Sequence, residues 1–188
     1  MSLQDVDWSE LPMPEDDGGA EQLIGRHLPS VKLASTAGGD VALPLLEGIT
    51  VIYAYPMTGR PDTPLPDGWD MIPGARGCTP QSCAFRDHFA ELKELGVSNL
   101  FGLSTQDNAY QAEAAERLHL PFPLLSDVDL VLTVALKLPS FEVDGKRLLR
   151  RLTMIIEDDK IVHVRYPVFP PDEDAGHVMN WLKARQSN

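Results

Sequence analysis

The chain has 188 residues, 43% of them hydrophobic and 23% charged, a length and composition that suit one globular core. With 16 Lys and Arg against 28 Asp and Glu, the formal net charge is −12, which repels phosphate backbones and argues against nucleic acid or an anionic membrane as partner. No apolar run approaches the roughly 20 residues that span a bilayer, and the acidic opening MSLQDVDWSELPMPEDDGGAEQ lacks the regions of a signal peptide, so a cytoplasmic location is expected.

Residues 1–21, acidic and rich in Pro and Gly, read as a flexible arm; residues 22–188 read as a single domain. LPSVKLAS and VALPLL flank an Ala37-Gly38-Gly39-Asp40 turn, a hairpin signal. Thr50 to Tyr55, β-branched and aromatic between Gly48 and Pro56, reads as a buried central strand. A long Pro- and Gly-rich loop then runs to Gly77, and its Trp69 and Ile72 predict an ordered excursion. A helix from about Thr79 to Leu95 follows, with Pro80 at its first position and Gly96 as its stop.

Asn99 to Ser104 reads as the next buried strand, and Asp107 or Asn108 caps a helix to about His119. Phe122 to Leu125 is extended, and Asp127 or Asp129 caps a helix through Lys137. Leu149–Glu157 and Ile161–Tyr166 form a hairpin across Asp158-Asp159, and a helix from about Asp172 to Arg185 closes the chain. This order predicts an α/β architecture, a central mixed β-sheet flanked by helices, as in the thioredoxin-like fold.

The chain has two cysteines, Cys78 and Cys83. A close pair in a reducing compartment is more often catalytic, metal-binding or redox-active than structural. Cys78 stands at the start of a helix, whose unpaired N–H groups and partial positive charge favour an anion such as a thiolate. The thiolate is the form that attacks an O–O bond and becomes a sulfenic acid, so Cys78 is the better nucleophile and Cys83 its natural resolving partner.

Two geometries are open. If both cysteines lie in the helix, five residues mean about 500° of rotation and about 7.5 Å of rise. The sulfurs then meet only after the first turns unwind, since a disulfide needs Cα atoms within about 7 Å. If Thr79 caps a helix that starts later, the pair approaches without unwinding. Unwinding is the favoured alternative, because a helix that opens on Gly77 and Pro80 frays easily. Zinc fits poorly, since the i, i+5 spacing departs from C-x₂₋₄-C and His88 completes no tetrahedral site. The C-x-x-C of a dithiol reductase is absent. An inert buried pair is the remaining plain reading.

YAYP (53–56), GCTPQSCAFRDH (77–88), FPLLSDVD (122–129) and RLTMIIEDDKIVHV (151–164) together resemble the peroxiredoxin Q, or bacterioferritin-comigratory-protein-like, branch of the peroxiredoxins. The resemblance implies a thiol peroxidase with Cys78 peroxidatic and Cys83 resolving it as an intramolecular disulfide. Arg151, or its neighbour Arg150, would hold the thiolate and the peroxide oxygens; Pro56 would be the family proline. A thioredoxin-like dithiol would restore the thiols, with no metal or other cofactor, in a monomer or homodimer. One departure concerns the family's P-x-x-x-T-x-x-C, since Ala75 and Met71 occupy the Thr and Pro positions here. An insertion at about 57–76 is inferred, with Thr58 as the candidate hydroxyl and Thr63 a weaker one. The rival readings are a thiol–disulfide oxidoreductase and a non-catalytic redox sensor or binding protein on the same fold.

Overall fold

The computed structural model describes residues 6–187. After a one-turn helix at Trp8–Glu10, β1 (Lys32–Ser35) and β2 (Asp40–Ala42) form the expected hairpin, and β3 (Ile49–Ala54) runs through the centre of the sheet. The 57–76 excursion carries one helical turn, Trp69–Met71. Then follow α1 (Cys78–Asp87), α2 (Phe89–Glu94), β4 (Val97–Ser104), α3 (Asn108–Arg117), β5 (Leu124–Ser126) and α4 (Val131–Leu136). The chain closes with β6 (Ser140–Val143), β7 (Lys146–Leu149), β8 (Leu152–Glu157), β9 (Lys160–Arg165) and α5 (Asp174–Gln186).

Seven strands make one mixed sheet in the order β2-β1-β5-β4-β3-β8-β9, with β3–β4 and β4–β5 parallel and the other pairs antiparallel. The period of two along β3 sorts the core. Val51, Tyr53 and then Tyr55 face Phe85 of α1, Leu92 of α2 and Val178 and Leu182 of α5. Ile52 and Ala54 face Leu23, Leu43 and Leu132 and Leu136 of α4. The helix α1 is thus pressed onto the middle of the sheet. Tyr53 stacks on Phe85 with centroids 4.5 Å apart and its hydroxyl donates to Ser82 at 3.0 Å. Gly102 leaves room for that tyrosine, since a Cβ there would stand 2.7 Å from Tyr53 Oη.

The helix expected at 79–95 is two helices meeting at His88, whose φ of −102° and ψ of 11° break the first. The first begins one residue early, at Cys78, with Gly77 as cap at φ +114°. Pro80 is therefore third in the helix rather than first. It is tolerated there because its missing N–H falls among the four that lack an intrahelical partner in any case. Leu149 ends β7 and β8 begins at Leu152, so Arg151 lies just before the strand rather than inside it.

The β6–β7 hairpin has no counterpart among the sequence expectations. Its Asp144-Gly145 turn has positive φ at both residues, the combination that a two-residue hairpin turn demands. The hairpin gives the excursion something to pack on: Trp69 and Ala75 bury against Leu148, with Phe141 and Ile72 alongside. The described part of the acidic arm is tied down as well. Trp8 meets Phe169 edge-on with centroids 6.3 Å apart, and the Tyr166 hydroxyl donates to Asp17 at 2.8 Å. Residues 1–5 of that arm lie outside the described part.

Candidate active site

Cys78 is the first residue of α1 and only 4% exposed. Gly77 makes this possible: its positive φ turns the chain into the helix, and its carbonyl accepts the first helical hydrogen bond, from Gln81 N at 3.0 Å. The open N–H groups of the first turn point toward the start of the helix, where the sulfur sits.

Arg151 comes to the same point from 73 residues further along. Its Nη2 donates to Cys78 Sγ at 3.3 Å and to the carbonyls of Gly74, Ala75 and Arg76 at 3.2, 3.1 and 3.3 Å. Its Nη1 donates to Gln81 Oε1 at 2.6 Å. Arg151 is 3% exposed, and its Nε has no partner among the described residues. Every other group it touches is neutral, and a buried charge needs an opposite charge close by. Among the described residues the one ionisable group within hydrogen-bonding reach of the guanidinium is the Cys78 thiol, while the buried Asp174 carboxyl acts on it from behind Gln81.

Behind this pair runs a buried relay. Gln81 Nε2 donates to Asp174 Oδ2 at 2.7 Å, and the Thr153 hydroxyl donates to the same oxygen at 2.6 Å. Arg165 Nη1 lies 3.4 Å from Asp174 Oδ1. Gln81 and Asp174 are both fully buried. Burial pushes the Asp174 carboxyl above its ordinary value despite these partners, and pushes the Arg165 guanidinium below its own. The relay links α1, β8, β9 and α5 and fixes which end of the Gln81 amide faces Arg151.

Cys83 lies in the same helix, half-buried, and both thiols are free. Its thiol is pushed up by burial, with Arg86 opposing. Because the helix includes Cys78, the pair is separated by about 140° around the axis and about 7.5 Å along it. Of the two geometries open at the sequence level, this is the one in which a disulfide requires the first turns to unwind.

Pro56 is buried at the end of β3. Thr58 is buried too, but its hydroxyl donates to Gln106 Oε1 at 3.3 Å and no hydrogen bond joins it to Cys78 among the described residues. Gln106 also holds the Thr58 backbone at both ends, accepting from its N–H and donating to its carbonyl. Thr63, by contrast, lines the cavity over Cys78. That cavity holds about 440 Å³ and is walled by Met57, Leu65, Trp69 and Pro80. A larger cavity, about 700 Å³, lies between the excursion, the β6–β7 hairpin and α3, and neither cysteine reaches it.

A buried cysteine at a helix start, with an arginine on its sulfur, thus sits on a thioredoxin-like sheet. The Redoxin family profile matches residues 23–179. The chain belongs to the redoxin family. Peroxiredoxin Bcp of Escherichia coli K12 is 31% identical over 169 residues, covering 85% of this chain and 94% of that protein. The chloroplastic peroxiredoxin Q of Oryza sativa subsp. japonica is 28% identical over 162 residues; the match covers 85% of this chain but only 66% of the rice protein's length. Among solved structures, peroxidoxin BcpB from Mycobacterium tuberculosis superposes with a TM-score of 0.70 at 26% identity, covering 87% of this chain and 97% of that one. These place this redoxin on the peroxiredoxin Q/Bcp branch.

Sequence reasoning named Cys78, Cys83 and Arg151 but not Gln81, Thr153, Asp174 or Arg165. Gln81 carried a usable signal, since three residues after Cys78 is the same helix face. Asp174 carried none: an aspartate in a first helical turn usually faces solvent, and only the packing of α5 on α1 buries it.

Proposed function

We propose that this redoxin reduces hydroperoxides through Cys78, with Arg151 and the α1 N–H groups as electrostatic partners. The Cys78 thiolate attacks the terminal oxygen of the hydroperoxide. The O–O bond breaks, the sulfur is oxidised to a sulfenic acid, and the departing alkoxide takes up a proton to leave as an alcohol, or as water from hydrogen peroxide. Arg151 Nη2, on the sulfur already, is placed to hold the oxygens as negative charge moves from sulfur to the leaving group.

Cys83 then attacks the sulfenic sulfur once α1 has unwound at its start, giving a disulfide and releasing water. A thioredoxin-like dithiol returns both thiols by exchange, becoming the disulfide itself. Without this step the sulfenic acid would proceed to irreversible acids. The reading takes residues 22–188 as one catalytic domain working in the cytoplasm, with 57–76 inserted over the cavity. Among the described residues no helix is long and apolar enough to cross a membrane.

The single observation that carries the proposal is the 3.3 Å contact from Arg151 Nη2 to a buried cysteine sulfur at a helix start. The test is rapid mixing of the reduced protein with hydrogen peroxide, followed by intact mass. The wild type is expected to lose two hydrogens as the disulfide forms, Cys78→Ser to stay unchanged, and Cys83→Ser to gain one oxygen and, in excess peroxide, a second. An unmodified wild-type mass would overturn the reading, and so would the same product from all three proteins.

A further inference from the structure

The cavity over Cys78 is not built by the family-matched part of the chain alone. The Redoxin match begins at residue 23, whereas Val6 and Trp8 line this cavity beside Met57, Leu65, Trp69 and Cys78. Trp8 is held in place from two sides: its ring meets Phe169 edge-on, and its Cη2 lies 3.1 Å from where a Cβ on Gly77 would stand. The same hypothetical Cβ would run into Pro171. The residue that caps the catalytic helix is therefore a glycine pressed between Trp8 and Pro171, and the indole continues from that contact into the wall of the cavity.

The shape and chemistry of the space say what it takes. At about 440 Å³ it far exceeds hydrogen peroxide, which needs little more than a water's share of about 30 Å³. It falls in the range that encloses a small organic ligand. Three arginines stand on its rim: Arg60 and Arg117 share the one carboxylate of Glu113, and Arg76 pairs with Asp70. Most of the lining is the apolar wall of Val6, Trp8, Met57, Leu65 and Trp69, with Thr63 and Thr79 beside it. That wall fits an apolar body attached to the reacting peroxide.

We propose that Trp8, with Val6, is a specificity-determining residue: the segment ahead of the family domain supplies one wall of the peroxide cavity and favours organic hydroperoxides with an apolar body over hydrogen peroxide. The inference rests on the peroxidase reading of Cys78 and adds to it the residues that select the substrate. Trp8 acts on binding of the substrate's tail and takes no part in the chemistry at sulfur. Its removal lowers the selectivity ratio rather than the intrinsic reactivity of the thiolate.

The test compares kcat/KM for cumene hydroperoxide with kcat/KM for hydrogen peroxide, in the full chain with a dithiol reductant. Trp8→Ala is expected to lower that ratio at least roughly tenfold, the scale of lost apolar contact in a substrate pocket, mainly through KM for the organic substrate. Trp8→Phe, which keeps an aromatic wall but gives up the reach of Cη2 toward Gly77, is expected to recover part of it. Met13→Ala, an exposed position in the same segment and outside the cavity, is expected to leave the ratio unchanged. An unchanged ratio in Trp8→Ala overturns the inference, and so does an equal loss on both substrates, which would mark a structural role only. A wild type that consumes neither peroxide would instead sink the peroxidase reading, so the two failures are distinguishable.

Discussion

Gln81→Met is the substitution that interrogates the buried relay most directly. Methionine is close in length and helix propensity to glutamine, so the change removes two polar contacts and little else. Gln81 accepts from Arg151 Nη1 at 2.6 Å and donates to Asp174 Oδ2 at 2.7 Å, with no solvent to replace either. Leaving a buried charged group short of a partner costs about 1–3 kcal/mol per contact. The Asp174 end is cushioned by Thr153, which stays on the same oxygen at 2.6 Å. The Arg151 end keeps only its carbonyls and the sulfur. The expected sum is about 3 kcal/mol, or about 6–12 °C in Tm for a chain of this length.

On the proposed cycle the same bonds must break as α1 unwinds to bring Cys83 to Cys78, because Gln81 sits between them. The loss should therefore fall on the reduced protein and largely vanish in the disulfide form. Thermal melts of both redox forms, wild type and variant, read this difference. Stopped-flow oxidation by hydrogen peroxide should slow by at least about tenfold as Arg151 loses its orientation, since misplacements of about 1 Å cost up to about 10²-fold. Equal destabilisation of the reduced and disulfide forms, or a reduced-form Tm within about 2 °C of wild type, would refute the reasoning.

Asp174→Asn removes a carboxyl whose pKa burial raises from 3.8. A carboxyl with a raised folded-state pKa binds its proton more tightly when folded, so its contribution is most favourable below the unfolded value and is lost as pH rises toward the folded one. Wild-type stability relative to Asp174→Asn should accordingly fall on going from about pH 3 to pH 7, as urea midpoints can measure; a flat difference would contradict this. Gly77→Ala should cost about 2–3 kcal/mol, from its φ of +114° and the collision with Pro171, and slow peroxide oxidation with it; a wild-type urea midpoint would argue against the sandwich. Thr58→Val should change kcat/KM for hydrogen peroxide by less than about threefold, since its hydroxyl is spent on Gln106. A loss near the about 10²-fold of a missing transition-state donor would put Thr58 back at the sulfur.

The local chemistry of this redoxin was legible in its sequence wherever neighbours in the chain decide it. The Ile49–Ala54 strand is a run of β-branched and aromatic residues that only a buried centre accommodates. Cys78 at a helix start followed from Gly77 and Pro80, though whether the helix took in the cysteine or began after it was left open, because helix ends are set by one or two dihedrals. The β6–β7 hairpin was hidden because its strands carry charged residues, leaving Asp144-Gly145 as the sole signal. The direction of the Thr58 hydroxyl was hidden for a related reason. An inserted loop keeps residue types but not distances, and Gln106, nearly fifty positions away, decides where the Thr58 hydroxyl goes.

Tertiary structure alone decided the rest. Arg151 and Cys78 are 73 positions apart and Gln81 and Asp174 are 93 apart; no periodicity links such pairs. They meet because α1 and α5 share the face of the sheet that carries Tyr53, while Arg151 is delivered at the entrance to the strand beside it. The acidic opening segment illustrates the same limit. Its composition reads as a solvated arm, yet one indole finding Phe169 and the face of Gly77 is enough to bring it to the active site. Sequence determines which groups can do chemistry; the burial of those groups against distant partners determines which of them will, because desolvation is a property of the packed chain.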